Sequence, residues 1–157
     1  IAEGHDAVSE ALRDLALIGI DDVSGFFDME ALEYCSVSDV ELENGKSVDW
    51  PDAERAVRDE KAYMVDVRGI SEWNEGHVPG ARHLHLGQLQ ARGPLELPRG
   101  CPLLLYCRSG YRSGIGTSIL KAEGFSDVRN INGGILDRMK RGLPVEQMTV
   151  SLIDSGF

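Results

Sequence analysis

The chain of 157 residues has room for one domain of typical size and an appendage. Its formal net charge of −10 is unevenly placed, because residues 1–50 hold 13 acidic and 2 basic side chains whereas residues 51–157 hold 13 and 14. The sequence has no basic stripe for nucleic acid, no apolar run near the roughly 20 residues of a membrane span, and too few cysteines for a disulfide framework.

The first 35 residues repeat part of the sequence that follows. Apolar spacing predicts a helix over 6–18, ended by Gly19, and a second helix over 28–34. An offset of 105 residues relates three pairs of positions: Gly19 with Gly124, Asp22 with Asp127, and Val23 with Val128. We expect residues 1–35 to be a partial copy of the later domain; chance similarity between two helix–glycine–strand segments is the alternative.

Beyond this segment, strands and helices alternate along the chain. Residues 36–49 are predicted to be a connector, with a small hairpin at Asn44-Gly45. Asp49 followed by Pro51 indicates the start of a helix. The predicted strands are 62–67, 82–86, 103–106 and 127–131, the helices are 50–59, 71–75, 87–91, 113–123 and 134–141, and 94–100 is a loop. This alternation predicts an α/β fold with a doubly wound parallel sheet.

The strongest chemical signal lies where the strand 103–106 ends at Cys107. A short turn follows, which carries Arg108 and Arg112 and leads into a helix. Ligands of parallel α/β sheets bind beyond the carboxyl ends of the strands, and loop N–H groups and a helix N-terminus attract anions there. Such surroundings lower the pKa of a cysteine, so we predict that Cys107 is a nucleophile; a small buried residue is the alternative.

Three motifs resemble those of the rhodanese sulfurtransferases and together cover about residues 48–145. The loop Cys107-Arg108-Ser109-Gly110-Tyr111-Arg112-Ser113 is similar to the active-site loop of that family. Upstream stand Val65-Asp66-Val67-Arg68, Glu72-Trp73 and Gly76-His77-Val78-Pro79-Gly80-Ala81, and downstream Val128-Arg129-Asn130-Ile131-Asn132-Gly133-Gly134. The resemblance implies the doubly wound rhodanese-like fold and a catalytic Cys107.

The rest of the loop is expected to bind the substrate, through Arg108, Ser109, Gly110, Tyr111, Arg112 and Ser113. We expect Arg112 to turn inward as an anion ligand, whereas Arg108 is open between that role and a solvated side chain. By resemblance, four residues support the structure around the loop: Asp66, Arg68, Glu72 and His77. His83 and His85 share one face of a predicted strand but lack a third ligand, so no metal is expected.

The resemblance implies a sulfurtransferase, and the small, odd number of cysteines indicates the reducing cytoplasm as its location. It would move a sulfane sulfur from thiosulfate or a persulfide, through a transient Cys107 persulfide and no other cofactor, to a thiol or cyanide. One alternative is a non-catalytic binding module of the same fold. Another is a cysteine-dependent phosphatase or arsenate reductase, which is disfavoured because relatives of that kind have five residues between cysteine and arginine, whereas four separate Cys107 from Arg112.

The resemblance also implies the domain organisation. Residues 1–35 would be a partial rhodanese-like unit, 36–49 a connector, 50–145 the rhodanese domain and 146–157 a tail. A degenerate unit before a complete one resembles the C-terminal part of the persulfide dioxygenases of metallo-β-lactamase fold that carry rhodanese units. A fused upstream domain is therefore an expected partner.

Overall fold

The computed structural model describes residues 4–17, 19, 22–27, 30–37 and 45–147. The chain divides into two units, Ile1–Asn44 and Gly45–Phe157, which are described separately. No helix in the described part is long and apolar enough to cross a membrane.

The first unit contains two described helices, α1 (Gly4–Leu17) and α2 (Glu30–Val37). The helix α1 ends as predicted, because Gly19 has a φ of +81° and its N–H donates to the carbonyl of Ala16 at 3.0 Å. The helix α2 extends beyond the predicted end at residue 34. Ile18, Asp28 and Met29, which belong to the predicted helices, lie outside the described residues. Residues 22–27 form no strand, and the partial repeat stays a prediction.

The second unit is built on a five-stranded sheet in which every pair of neighbouring strands is parallel, as predicted. The strands are β1 (Lys46–Val48), β2 (Tyr63–Asp66), β3 (Arg82–His83), β4 (Leu103–Tyr106) and β5 (Val128–Ile131). Their order is β1-β5-β4-β2-β3, so β4 lies at the centre. The edge strand β1 corrects the expected connector: residues 46–48 pair in parallel with β5, whereas Glu43 and Asn44 of the expected hairpin lie outside the described residues.

The described part of this unit has five α-helices: α3 (Trp50–Asp59), α4 (Ile70–Glu75), α5 (Leu89–Glu96), α6 (Tyr111–Ala122) and α7 (Gly134–Lys140). The helix α3 begins where Asp49 predicted, since this side chain accepts a hydrogen bond from the Asp52 N–H at 3.1 Å. Two predictions were wrong in extent. The strand β3 is shorter than 82–86, and α5 continues through Pro94 into the expected loop. Pro94 stands in the last turn, which the bond from Leu97 N to Gly93 O still closes at 3.0 Å.

The central strand β4 is buried on both faces, which explains its continuous apolar sequence. Leu103 and Leu105 share one hydrophobic cluster with Cys107, and this cluster includes residues of α5 and α6. Leu104 and Tyr106 point into the opposite cluster, with Trp50 of α3. Each fully buried leucine contributes about 1.5–3 kcal/mol to stability. The alternation therefore fixes the direction in which the Cys107 side chain leaves the sheet.

A buried ion pair lies at the end of β2. The Arg68 guanidinium contacts the Asp66 carboxylate at 2.6 Å and donates a second bond to the carbonyl of Gly76 at 2.7 Å. The neighbouring Tyr106 hydroxyl accepts a hydrogen bond from the Val78 N–H at 3.1 Å. These contacts attach the turn at residues 76–80 to the sheet.

Candidate active site

The Cys107 thiol lies at the bottom of the loop between β4 and α6 and is 1% exposed. Its Sγ accepts hydrogen bonds from the Gly110 N–H at 3.1 Å and from the Ser113 hydroxyl at 3.5 Å. Gly110 has a φ of +107°, a conformation that residues with a side chain rarely adopt. The loop therefore curls over the sulfur, and α6 begins at Tyr111, two residues earlier than predicted.

The surroundings of Cys107 favour the thiolate. Burial is the largest single influence and opposes ionisation. The hydrogen bond from the Ser113 hydroxyl and those from the backbone N–H groups of Ser113, Gly110 and Ser109 together outweigh it. The pKa of Cys107 is therefore lowered from its ordinary value, which makes the thiol a better nucleophile near neutral pH.

The Arg112 guanidinium is bound by Glu72 of α4. Two parallel hydrogen bonds of 2.7 Å join Nη1 to Oε2 and Nη2 to Oε1. The bond from Arg112 lowers the pKa of Glu72 to about 2, and the bond to Glu72 is the main reason why the pKa of Arg112 is raised. The Cys107 sulfur also raises the pKa of Arg112, so the Arg112 guanidinium and the sulfur interact electrostatically. Glu72, expected only as structural support, is thus part of the site.

Three other loop residues are exposed. Tyr111 is 84% exposed, and Arg108 and Ser109 are exposed as well. The Arg108 guanidinium lines a cavity of about 440 Å³ beside the loop. Their predicted roles in substrate binding stay predictions.

The loop is supported from behind by the start of α7. The N–H of Ile135 donates to the Cys107 carbonyl at 2.9 Å, and that of Leu136 donates to the Arg108 carbonyl at 3.1 Å. Gly134 allows this approach, and its own carbonyl accepts a hydrogen bond from the Trp50 indole at 2.8 Å. This support was not predicted from the sequence, although the adjacent glycines of the third motif were a signal for it. No pattern in the sequence indicated the contact of Trp50 with Gly134.

His77, another predicted support, lies in the turn at residues 76–80. His77 is buried, with Nδ1 3.0 Å from the carbonyl of Trp73, whose ring stacks on the imidazole at 3.5 Å. Its backbone pairs with that of Glu146, one residue beyond the predicted end of the domain at residue 145, and the domain bounds stay a prediction. His83 Nε2 is 2.8 Å from the Arg68 carbonyl. Among the described residues, no group of three or more potential ligands is placed to hold a metal ion.

We predict that replacing Ser113 with alanine raises the pH at which Cys107 ionises, because the hydroxyl is the strongest of the contacts that lower its pKa. The measurement is the rate of alkylation by iodoacetamide as a function of pH, in a background carrying Cys35→Ser and Cys101→Ser. The parent midpoint is expected below the ordinary thiol pKa of about 8.5, since the thiolate is lost only as the pH falls through the lowered value.

Ser109→Ala is the matched control for this measurement. Ser109 acts on Cys107 through its backbone N–H, which the substitution leaves in place. Its midpoint should equal that of the parent. Identical midpoints for the Ser113→Ala and Ser109→Ala variants would contradict the role of the hydroxyl.

Comparison with known proteins identifies the class to which this fold and loop belong. Residues 49–138 match the family described as Rhodanese-like domain, and the chain belongs to that family. It is similar to the solution structure of the rhodanese-like domain of an Anabaena protein, with a TM-score of 0.61 and 22% identity over 74% of this chain and 88% of that one. This likeness shows the fold.

The chain also resembles curated bacterial proteins. It is 38% identical over 74 residues to the uncharacterized protein YqhL of Bacillus subtilis, which is 47% of this chain and 58% of that protein. It is 32% identical over 93 residues to a protein named sulfurtransferase from Allochromatium vinosum, covering 59% of this chain and 86% of the relative. A thiosulfate sulfurtransferase, GlpE of Pseudomonas savastanoi pv. phaseolicola, is 31% identical over 87 residues, 54% of this chain and 78% of the relative.

Proposed function

We propose that this protein is a sulfurtransferase in which Cys107 carries a sulfane sulfur as a persulfide. The observation that supports this function best is the Cys107 sulfur, which accepts hydrogen bonds from Gly110 and Ser113 at the N-terminus of α6. Membership of the rhodanese-like family and the names of two relatives, sulfurtransferase and thiosulfate sulfurtransferase, agree with it.

In the first step, the Cys107 thiolate attacks the outer sulfur of thiosulfate or of a persulfide donor. With thiosulfate, a new S–S bond forms at Sγ, and the bond between the two sulfur atoms of the donor breaks. Sulfite leaves with the electron pair of that bond, and the enzyme retains a deprotonated persulfide. This step conserves both sulfur atoms and charge, and it needs no external oxidant.

The loop stabilises the negative charge that stays on sulfur. Its backbone N–H groups converge on Cys107, and the positive end of the α6 dipole adds to their field. Arg112 contributes a permanent positive charge that Glu72 holds in one orientation. These groups are in place before the donor arrives, so they need no reorganisation during the transfer.

In the second step, a thiol or cyanide takes the outer sulfur and Cys107 returns to the thiolate. Donor and acceptor thus react with the same sulfur in turn, which predicts ping-pong kinetics. A cytoplasmic location, where thiols stay reduced, belongs to the same proposal.

The test is the intact mass of the reduced protein before and after brief exposure to thiosulfate. The parent should gain the mass of one sulfur atom, and the Cys107→Ala variant should gain none. A variant carrying Cys35→Ser and Cys101→Ser is the matched control and should gain sulfur like the parent. No gain in a folded parent protein would overturn the proposal in favour of a binding module or a phosphatase, and a phosphate-ester assay would separate these two.

A further inference from the structure

A cavity of about 440 Å³ opens beside the Cys107 loop. Its walls come from the loop, from α4 with the turn at Gly76, and from α7. Its lining residues include Arg68, Glu72, Glu75, Arg108, Leu136 and Met139. Arg108 directly follows the nucleophile in the chain, and Glu72 binds Arg112, so two of the lining residues are bonded to the proposed catalytic groups. Its volume lies within the range of sites for small molecules.

Two opposite charges in this cavity have no partner among the described residues. Arg68 is bound by Asp66, and Glu72 is bound by Arg112. In contrast, the Arg108 guanidinium and the Glu75 carboxylate are exposed, and neither makes a hydrogen bond or ion pair with any residue that the structure describes. The cavity therefore offers one cation and one anion to a ligand.

The wall formed by α7 is apolar. Leu136 is 38% exposed and Met139 is 52% exposed, although both are large hydrophobic side chains. They lie on the same wall as the buried Ile135. A ligand with a short aliphatic segment between its charged groups would cover this surface, which favours binding by about 25 cal/mol for each Å² of apolar area removed from water.

We propose that the cavity is the acceptor subsite and that it binds a zwitterionic thiol, of the amino-acid or small-peptide type. The carboxylate of the acceptor pairs with Arg108, its ammonium group pairs with Glu75, and its aliphatic part covers Leu136 and Met139. The proposal rests on the proposed sulfur transfer and specifies which acceptor that transfer uses.

The transfer at this subsite needs no further reagent. The acceptor approaches as a thiol, and its proton passes to the outer sulfur of the deprotonated Cys107 persulfide. The acceptor sulfur attacks that outer sulfur, and a new S–S bond forms on the acceptor. The bond between Sγ and the outer sulfur breaks, and Sγ leaves with its electron pair as the thiolate. The proton stays on the transferred sulfur, so one negative charge enters and one remains.

The experiment measures the discharge of enzyme that has first been loaded to completion with thiosulfate and freed of excess donor. Three thiols serve as acceptors: cysteine with both charges, 3-mercaptopropionate with the carboxylate alone, and cysteamine with the ammonium group alone. Sulfur loss is followed by intact mass. Because loading precedes the measurement, an effect of a variant on the donor step does not enter the rate.

The two charged residues should separate the three thiols. Relative to the parent, Arg108→Gln should slow sulfur discharge to cysteine and to 3-mercaptopropionate about tenfold more than discharge to cysteamine. A tenfold effect is expected for the loss of a charge-assisted hydrogen bond. Glu75→Gln should slow discharge to cysteine and to cysteamine more than discharge to 3-mercaptopropionate. Arg55→Gln removes a positive charge from α3, outside the cavity, and should leave the ratios between the thiols unchanged.

The acceptor subsite would be overturned if Arg108→Gln and Glu75→Gln slowed discharge to all three thiols equally or to none of them. It would also be overturned if Arg55→Gln changed the ratios between the thiols as much as these two variants do. Such a result is distinct from a failure of sulfur transfer itself. If the parent protein does not gain sulfur in the loading step, the proposed function fails; if it loads and discharges without charge selectivity, only the subsite fails.

Discussion

The Gly134→Ala variant is expected to lose about 2–5 kcal/mol of unfolding free energy and to load sulfur more slowly. Gly134 has a φ of +54°, and a Cβ on it would collide with the Cys107 carbonyl oxygen and stand 2.6 Å from the carbonyl carbon of Arg108. Both are backbone atoms that cannot rotate away. The start of α7 must therefore move, which breaks the two hydrogen bonds from Ile135 and Leu136 that support the loop.

Gly142→Ala is the control for the backbone conformation alone. Gly142 has a similar φ of +68°, but nothing lies within 4 Å of a Cβ built on it. This variant should lose only about 1–2 kcal/mol and should load sulfur like the parent. Urea unfolding gives the stabilities, and the mass gain with time gives the loading rate. Equal losses of unfolding free energy in the two variants would contradict the close contact between Gly134 and the loop.

The Asp66→Asn variant is expected to lose about 3–5 kcal/mol of unfolding free energy. Arg68 is only 5% exposed, and four of its hydrogen bonds go to Asp66. Without the carboxylate, the buried guanidinium keeps its hydrogen bond to the Gly76 carbonyl but loses its paired negative charge. The turn at residues 76–80 should loosen with it, since Arg68 connects that turn to β2.

An exposed ion pair provides the comparison. Lys46 contacts Asp127 at 3.1 Å with 58% of its side chain exposed, so Lys46→Gln should cost less than about 1 kcal/mol. Both variants are measured by urea unfolding, and the slope of the transition shows whether the unfolded state has changed. A loss of less than about 1 kcal/mol in Asp66→Asn would mean that Arg68 reaches solvent or another acceptor.

Local sequence patterns were sufficient for the central elements of the fold. The run Leu103–Tyr106 predicted β4 at its observed bounds, and Asp49 with Pro51 predicted the start of α3. Such signals work because periodicity and capping depend on residues within one or two turns of each other. The parallel α/β sheet followed from the alternation of these elements.

The same patterns did not reveal β1 or the full length of α5. The strand β1 exists because Ser47 pairs with Asn130 of β5, far along the chain, whereas the local Asn44-Gly45 signal indicated a hairpin. In α5, Gly93 packs so closely against Leu120 of α6 that a Cβ at Gly93 would be only 2.7 Å from the Leu120 side chain. Packing between helices thus stabilises a helical segment that glycine and proline would otherwise interrupt.

For the site, the sequence alone determined the position of Cys107 at a strand end, the loop over it and the helix that follows. These features depend on consecutive residues. Only the tertiary structure decided that Glu72 holds Arg112, that α7 supports the loop through Gly134, and that Arg108 and Glu75 face one cavity. The physical reason is that these contacts join elements separated by many residues, and they form only where packing of the helices on the sheet brings those elements together.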